Sequence, residues 1–259
     1  MVRLAALAGA LWACGAWPAA AACRLALVLA LDVSSSVDEM EYRLQRAGLA
    51  AALNAPDVRH AVLQGGQGHV ALAAYEWSGR YRQRVLLDWR ALHGPGDIDL
   101  AVAALAQGER EERMHPTAMG YGLGYAATLL ERAPDCARRV IDVSGDGVNN
   151  DGFSPRLAYK HFPLDGVTVN GLVILGHDPE VEAFYRREVI RGRNAFVEVA
   201  RGFQDFETAM TRKLYRELSD IMLGALSDTT PPPGQRYAQV SRYSGSDPSS
   251  SVRPGAGPR

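Results

Sequence analysis

A chain of 259 residues with 47% hydrophobic content is long and apolar enough to bury one substantial core, as one domain or two small ones. Its formal charge of −1 excludes a basic field for nucleic acid and a strongly acidic tail. What composition leaves is an ordinary soluble globular protein.

Met1-Val-Arg3 is a short positive start, Leu4 to Trp17 is an apolar run broken only by small residues, and Pro18 with Ala19 to Ala22 follows. This is the layout of a secretory signal peptide over residues 1–22, cleaved after Ala22, and it predicts an exported protein, periplasmic or secreted. A membrane anchor needs roughly 20 uninterrupted apolar residues; Pro18 and Arg24 interrupt this run, so no transmembrane span is expected. Cys14 leaves with the signal, and Cys23 and Cys136 are then candidates for one disulfide in an oxidising compartment. The alternatives are two unrelated buried thiols, or lipid attachment at Cys23. The lipid reading is weakened by Ala20, which stands where such a site usually has Leu.

Leu25 to Leu31 is an unbroken apolar run, as a strand buried on both faces of a parallel sheet requires. Ser36-Val-Asp-Glu39 reads as a capping box that opens a helix from Val37 to Asn54. Gly65 to Gly68 is a loop, and His69 to Trp77 and Arg84 to Trp89 are strands whose short Ser78-Gly79 link favours an antiparallel hairpin. Helices follow at Ile98 to Gln107 and Ala118 to Arg132, and strands at Arg139 to Ser144, Val167 to Leu175 and Ala195 to Ala200. An amphipathic helix, Phe206 to Leu226, closes a domain placed at residues 23–228. Helices alternating with mostly parallel strands predict a three-layer α/β sandwich. Over residues 229–259, Pro, Gly and Ser take 16 of 31 positions, so this tail cannot bury a core and is expected to be disordered.

In an open α/β sheet, ligands sit at the carboxyl ends of the strands. The first buried strand ends in Asp32-Val-Ser34-Ser-Ser36, and Arg139 to Ser144 ends in Gly145-Asp146-Gly147. If these strands are neighbours, two carboxylates and two hydroxyls face one small volume. Like charges that close repel and desolvate badly, and a hard cation resolves the conflict. Oxygen donors of this kind suit Mg²⁺ or Mn²⁺. Thr117, in the loop before a helix, would add a third hydroxyl. Taken singly, each feature has a plainer reading: Ser34 and Ser36 as helix caps, Gly145-Asp146-Gly147 as an ordinary turn.

Asp32-x-Ser34-x-Ser36, the lone Thr117 before a Gly-rich helix, and Asp146 in a Ser-Gly-Asp-Gly turn together resemble the metal-ion-dependent adhesion site of von Willebrand factor A domains. The resemblance spans Arg24 to Leu226. The phrases Val140-Ile-Asp-Val-Ser-Gly-Asp-Gly-Val-Asn-Asn150 and Val167-Thr-Val-Asn-Gly171 are similar to a family of exported bacterial proteins known only as a domain of unknown function. The resemblance implies a six-stranded sheet of order 3-2-1-4-5-6 with one antiparallel edge strand, and a metal held by Asp32, Ser34, Ser36, Thr117 and Asp146. With first and fourth strands adjacent, Cys23 and Cys136 fall at the same starting edge, and a disulfide would pin those strands opposite the metal end. Asp142, Gly147, Asn149 and Asn150 are expected at the rim or behind the ligands, although Asp142 inside a buried strand also fits a satisfied core carboxylate.

The function implied is a non-enzymatic module that binds a protein partner's Asp or Glu carboxylate through the metal. Two alternatives stand beside it. Gly145 to Asp151 resembles the late acidic motif of haloacid-dehalogenase-type phosphatases, but Ser34 occupies the place of their general acid, and Lys160 and Lys213 are the domain's only lysines. A structural scaffold with an idle site is the other. The scattered histidines, His115 included, have no zinc spacing. Gly120-Tyr-Gly122-Leu-Gly124 follows a loop instead of a strand, which a dinucleotide fingerprint would not.

Overall fold

The computed structural model describes residues 22–108, 110 and 114–227. Apart from Ala22, the expected export signal lies outside them, as does the expected disordered tail. The first apolar run forms β1 (Cys23–Asp32), buried along its whole length. Leu25, Leu27, Leu29 and Leu31 enter one core, and Ala26, Val28 and Ala30 enter a second on the opposite face. That alternation is how an unbroken apolar strand satisfies two layers at once.

β2 (His69–Trp77) lies parallel to β1, and β3 (Gln83–Leu92) pairs antiparallel with β2 through the turn after Trp77. β4 (Arg139–Gly145) runs along the other side of β1, followed outward by β5 (Thr168–Ile174) and β6 (Val197–Ala200). The resulting order, β3-β2-β1-β4-β5-β6 with one antiparallel edge, matches the expected sheet. The helices α1 (Glu39–Asn54), α2 (Pro56–Gln64), α3 (Pro95–Ala106) and α7 (Phe206–Ser227) cover the leucine face; α4 (Met119–Glu131), α5 (Pro155–His161) and α6 (Val181–Phe184) cover the alanine face. α6 runs on into a π turn, Tyr185–Val189. None of the described helices is long and apolar enough to cross a membrane.

The small residues of α4 explain its glycine pattern. A Cβ at Gly122 would stand 2.9 Å from the Trp77 indole, and one at Gly124 would stand 2.7 Å from the Phe162 ring. The Gly-x-Gly-x-Gly run is therefore a packing seat. Two features differ from the sequence reading. α1 starts at Glu39, and its capping box is Asp38 with Glu41: Glu41 N–H donates to Asp38 Oδ1 and Asp38 N–H to Glu41 Oε2, each at 2.8 Å. Ser36 therefore does not cap the helix. The second is α2, a helix that the sequence reading does not include, with Pro56 in its first turn, where the missing N–H costs nothing.

Cys23 and Cys136 form the disulfide, joining the start of β1 to the segment that leads into β4, with Ala137 N–H donating to Cys23 O at 3.0 Å. The bond engages the Cys23 sulfur, so it cannot also carry a thioether lipid. Because the bridge closes a stretch of 113 residues, it restricts the unfolded chain strongly. Reduction, or the paired Cys23→Ala and Cys136→Ala variant, is expected to lower stability by about 2–5 kcal/mol. Denaturant unfolding with and without reductant measures this, and an unchanged midpoint would show that the bridge contributes nothing.

Candidate metal centre

β1 and β4 are parallel neighbours, with Leu31 opposite Ser144, so the segments that leave them emerge side by side. Asp32 is the last residue of β1, and Asp146 directly follows the last residue of β4. Asp32, Ser34, Thr117 and Asp146 are buried, and Ser36 is half-buried. Ser36 Oγ donates to Asp146 Oδ1 at 2.8 Å and lies 3.3 Å from Ser34 Oγ, which in turn accepts from Thr117 Oγ1 at 3.1 Å. Ser34 N–H donates to Asp32 Oδ1 at 2.8 Å. All five side chains singled out from the sequence thus meet in one connected cluster.

The loops around the cluster hold it in place. Thr117 is locked from both sides of its backbone: its N–H donates to Asn150 Oδ1 at 2.8 Å, and its carbonyl accepts from Asn150 N–H at 3.0 Å. Asn149 Oδ1 accepts from Gly120 N–H in the first turn of α4 at 3.3 Å. At Gly147 a Cβ would reach only ordinary contact with Thr117 Oγ1, at 3.7 Å. Asn149, Asn150 and Gly147 therefore lie beside the cluster, the two asparagines acting on backbone. Asp142 does not join them. It sits in mid-strand, fully buried, with Lys213 Nζ of α7 at 2.7 Å from its Oδ1. Lys213 also pairs with Glu217 at 2.7 Å, which accepts from Asn170 Nδ2 at 2.7 Å. Asp142 is a paired core carboxylate, which fits its position inside a buried strand better than a place at the rim.

Sequence reasoning missed several contributors. Arg110 reaches over the β1–α1 loop, donating from Nη2 to the carbonyls of Val33 and Ser34, both at 2.9 Å, and from Nη1 to that of Val37. In the sequence it lies within Glu-Arg-Glu-Glu-Arg, which reads as a solvated charge run. His177 stands 3.1 Å from Glu41 Oε1, and that hydrogen bond, with the nearby charge of Asp146, raises its pKa. No local pattern marks either residue.

Burial pushes the Asp32 carboxyl up to about 8, and the charge of Asp146 adds to this, while the Ser34 hydrogen bonds and Arg110 oppose it. Asp146 is raised as well, again by burial first, with the Ser36 hydroxyl pulling it back. Asp32 Oδ2 and Asp146 Oδ2 are buried without a hydrogen-bond partner. Buried polar atoms normally have a partner; the carboxylates of Asp142 and Glu217 also carry such oxygens, but those lie beside the Lys213 ammonium. Two buried carboxylates with one orphaned oxygen each, set among three hydroxyls, fit a hard divalent cation. Among the described residues no three His, Cys, Asp or Glu side chains gather in a metal-holding group. A cation here would therefore depend on the hydroxyl oxygens as much as on the two carboxylates.

The model of a family described as "Protein of unknown function (DUF1194)" matches residues 22–222. No curated protein matches the chain. Among solved structures, the fold is similar to a von Willebrand factor type A protein from Catenulispora acidiphila, with TM-score 0.52 and 18% identity over 77% of this chain and 43% of that one. It is similar also to proximal thread matrix protein 1 from the mussel byssus with a zinc-occupied MIDAS motif, with TM-score 0.54 and 14% identity over 76% and 46%. A third is the PilB minor pilin from Streptococcus sanguinis, with TM-score 0.58 and 12% identity over 80% and 64%. The fold is thus that of von Willebrand factor A domains, and the chain spans less than two thirds of the length of each of these structures.

The raised carboxyl pKa values fix the sign of one pH effect. A folded state that raises a carboxyl pKa binds more protons than the unfolded chain between the two values, so stability falls as pH rises through that window. For Asp32 the window runs from the ordinary value near 4 to about 8, and Asp142, raised to about 7, acts in the same direction. Denaturant unfolding of chelator-treated protein is expected to show declining stability from about pH 5 to pH 8, with a shallower decline in Asp32→Asn. A rise across this range would show that the ionised pair is not the strained form.

Proposed function

The chain belongs to the DUF1194 family, and on that footing we propose that it is an exported binding module in which a divalent cation, Mg²⁺ or Mn²⁺, held by Asp32, Ser34, Ser36, Thr117 and Asp146 captures an Asp or Glu carboxylate of a protein partner. The observation that carries the reading is that two buried carboxylates, Asp32 and Asp146, each with one unpartnered oxygen, meet Ser34, Ser36 and Thr117 in one hydrogen-bonded cluster. The donor set is all oxygen, which favours a hard cation. Zinc in the MIDAS motif of the mussel protein makes Zn²⁺ a third ion worth testing.

Each residue has a distinct task. Asp32 and Asp146 supply two negative charges, enough to balance a divalent ion and no more. Ser34, Ser36 and Thr117 supply neutral oxygens that leave the balance untouched. A bound cation would offer an incoming carboxylate an electrophilic contact undiminished by surplus charge, directional and dependent on the partner's shape around it. Asn150 holds Thr117, and Arg110 holds the backbone of the Asp32–Ser36 loop, so the donors are set before a ligand arrives. Export is supported by the N-terminal pattern and by a disulfide, which persists in oxidising compartments.

A phosphohydrolase has less in its favour. Ser34 stands where that chemistry would need an acid, and it is engaged with Ser36 and Thr117. Lys213 is sealed in the core on Asp142 and Glu217, and Lys160 is exposed on α5.

Isothermal titration of metal-stripped protein with Mg²⁺ and Mn²⁺ tests the proposal. One-to-one binding is expected, lost in a folded Asp32→Ala, Asp146→Ala variant. Failure of the folded wild type to bind either ion would remove the cation mechanism and leave a scaffold as the better reading.

A further inference from the structure

Tyr185 opens the π turn after α6, and its side chain is fully buried on the alanine face of the sheet. π turns are rare and recur at functional sites. Its ring crosses two strands at glycines. A Cβ at Gly171 of β5 would stand 2.6 Å from Tyr185 Cδ1, and one at Gly145 of β4 would stand 2.7 Å from its hydroxyl oxygen. Those glycines belong to the two phrases, Ser144-Gly145-Asp146-Gly147 and Val169-Asn170-Gly171, whose small residues the cation cluster does not account for.

The phenol therefore has a cleared path, and it leads to Asp32. The same point beside Gly145 lies 2.7 Å from Tyr185 Oη and 2.9 Å from Asp32 Oδ2, so the two atoms are near enough for one water to span them. Neither has a hydrogen-bond partner. The buried tyrosines Tyr75 and Tyr42 are satisfied, donating to Gly122 O at 2.6 Å and to Glu76 Oε1 at 2.8 Å, and half-buried Tyr159 donates to Val189 O. Buried phenols normally find an acceptor, and the unmet acceptor that flanks the same point beside Gly145 is Asp32 Oδ2, at the end of β1.

We propose that Tyr185 is a positioning residue of the cation centre, its hydroxyl donating through one ordered water to Asp32 Oδ2 and so fixing how that carboxylate faces the ion. The inference rests on the cation reading above. A metal ligand's outer hydrogen bond sets its orientation, and losing such a bond costs about 10–100-fold in metal affinity. Tyr185→Phe keeps the ring on Gly145 and Gly171 and removes only the hydroxyl.

The test is Mn²⁺ titration followed by the electron paramagnetic resonance of the free ion, on wild type, Tyr185→Phe and Tyr75→Phe, with melting of each protein in chelator. Tyr185→Phe is expected to bind Mn²⁺ about 10–100-fold more weakly while melting no lower than wild type without metal, and Tyr75→Phe to bind as wild type. Equal affinity of Tyr185→Phe and wild type would overturn the proposal and leave the cation site standing. So would equal weakening in Tyr75→Phe, which would mark a packing effect. Absence of Mn²⁺ binding by the wild type would instead overturn the cation reading and this inference together.

Discussion

Two carboxylates buried side by side at the ends of adjacent parallel strands are the constraint around which this end of the molecule is organised. The pairing of Leu31 with Ser144 leaves Asp32 and Asp146 no way to point into separate volumes. Both carboxyl groups lose solvent, and the pKa of each rises. The surrounding chain answers with oxygen and backbone groups. Ser36 turns to Asp146 and leaves the cap of α1 to Asp38. Thr117 is held in range by Asn150, and Arg110 spends its donors on the loop carbonyls.

The rest of the sheet keeps those two strand ends in register. The disulfide ties β1 to the approach to β4 at their starting edge, and the carboxylates lie at the opposite edge. Between them β1 is packed from both sides, by leucines against α1 and α7 and by small residues against α4. A densely packed interior has low compressibility and yields little. The spacing of Asp32 and Asp146 is thus a property of a rigid strand pair, and the loops adjust the hydroxyls around it.

Much of this was legible in the sequence because it depends on local pattern. Unbroken apolar runs marked the central strands, and Asp32-x-Ser34-x-Ser36 with Thr117 and Asp146 marked the cluster. The cap of α1 was not legible. Ser36-x-x-Glu39 and Asp38-x-x-Glu41 both satisfy the capping-box rule, and what decides between them is Asp146, 110 residues further on. Asp142 was similarly undecided until Lys213 arrived from α7. Tyr185 carries no sequence signal at all: its place depends on a π turn and on glycines in two separate strands.

Among the described residues two pairs of carboxylates are buried, and the difference between them bears on the proposed function of the second. Asp142 and Glu217 share the Lys213 ammonium, each at 2.7 Å, and Asn170 completes the group. That is how a protein buries acidic side chains for structure alone, since an uncompensated buried charge is strongly destabilising. Asp32 and Asp146 receive hydroxyl and backbone donors, with Arg110 and His177 the cationic side chains that pull their raised pKa values back. Arg110 also donates to the carbonyls of Val33, Ser34 and Val37. A lysine at the second pair would have given a stable, inert core. In the proposed reading an ion from solution would balance the second pair instead, and the charge at this end of the sheet would then depend on that ion.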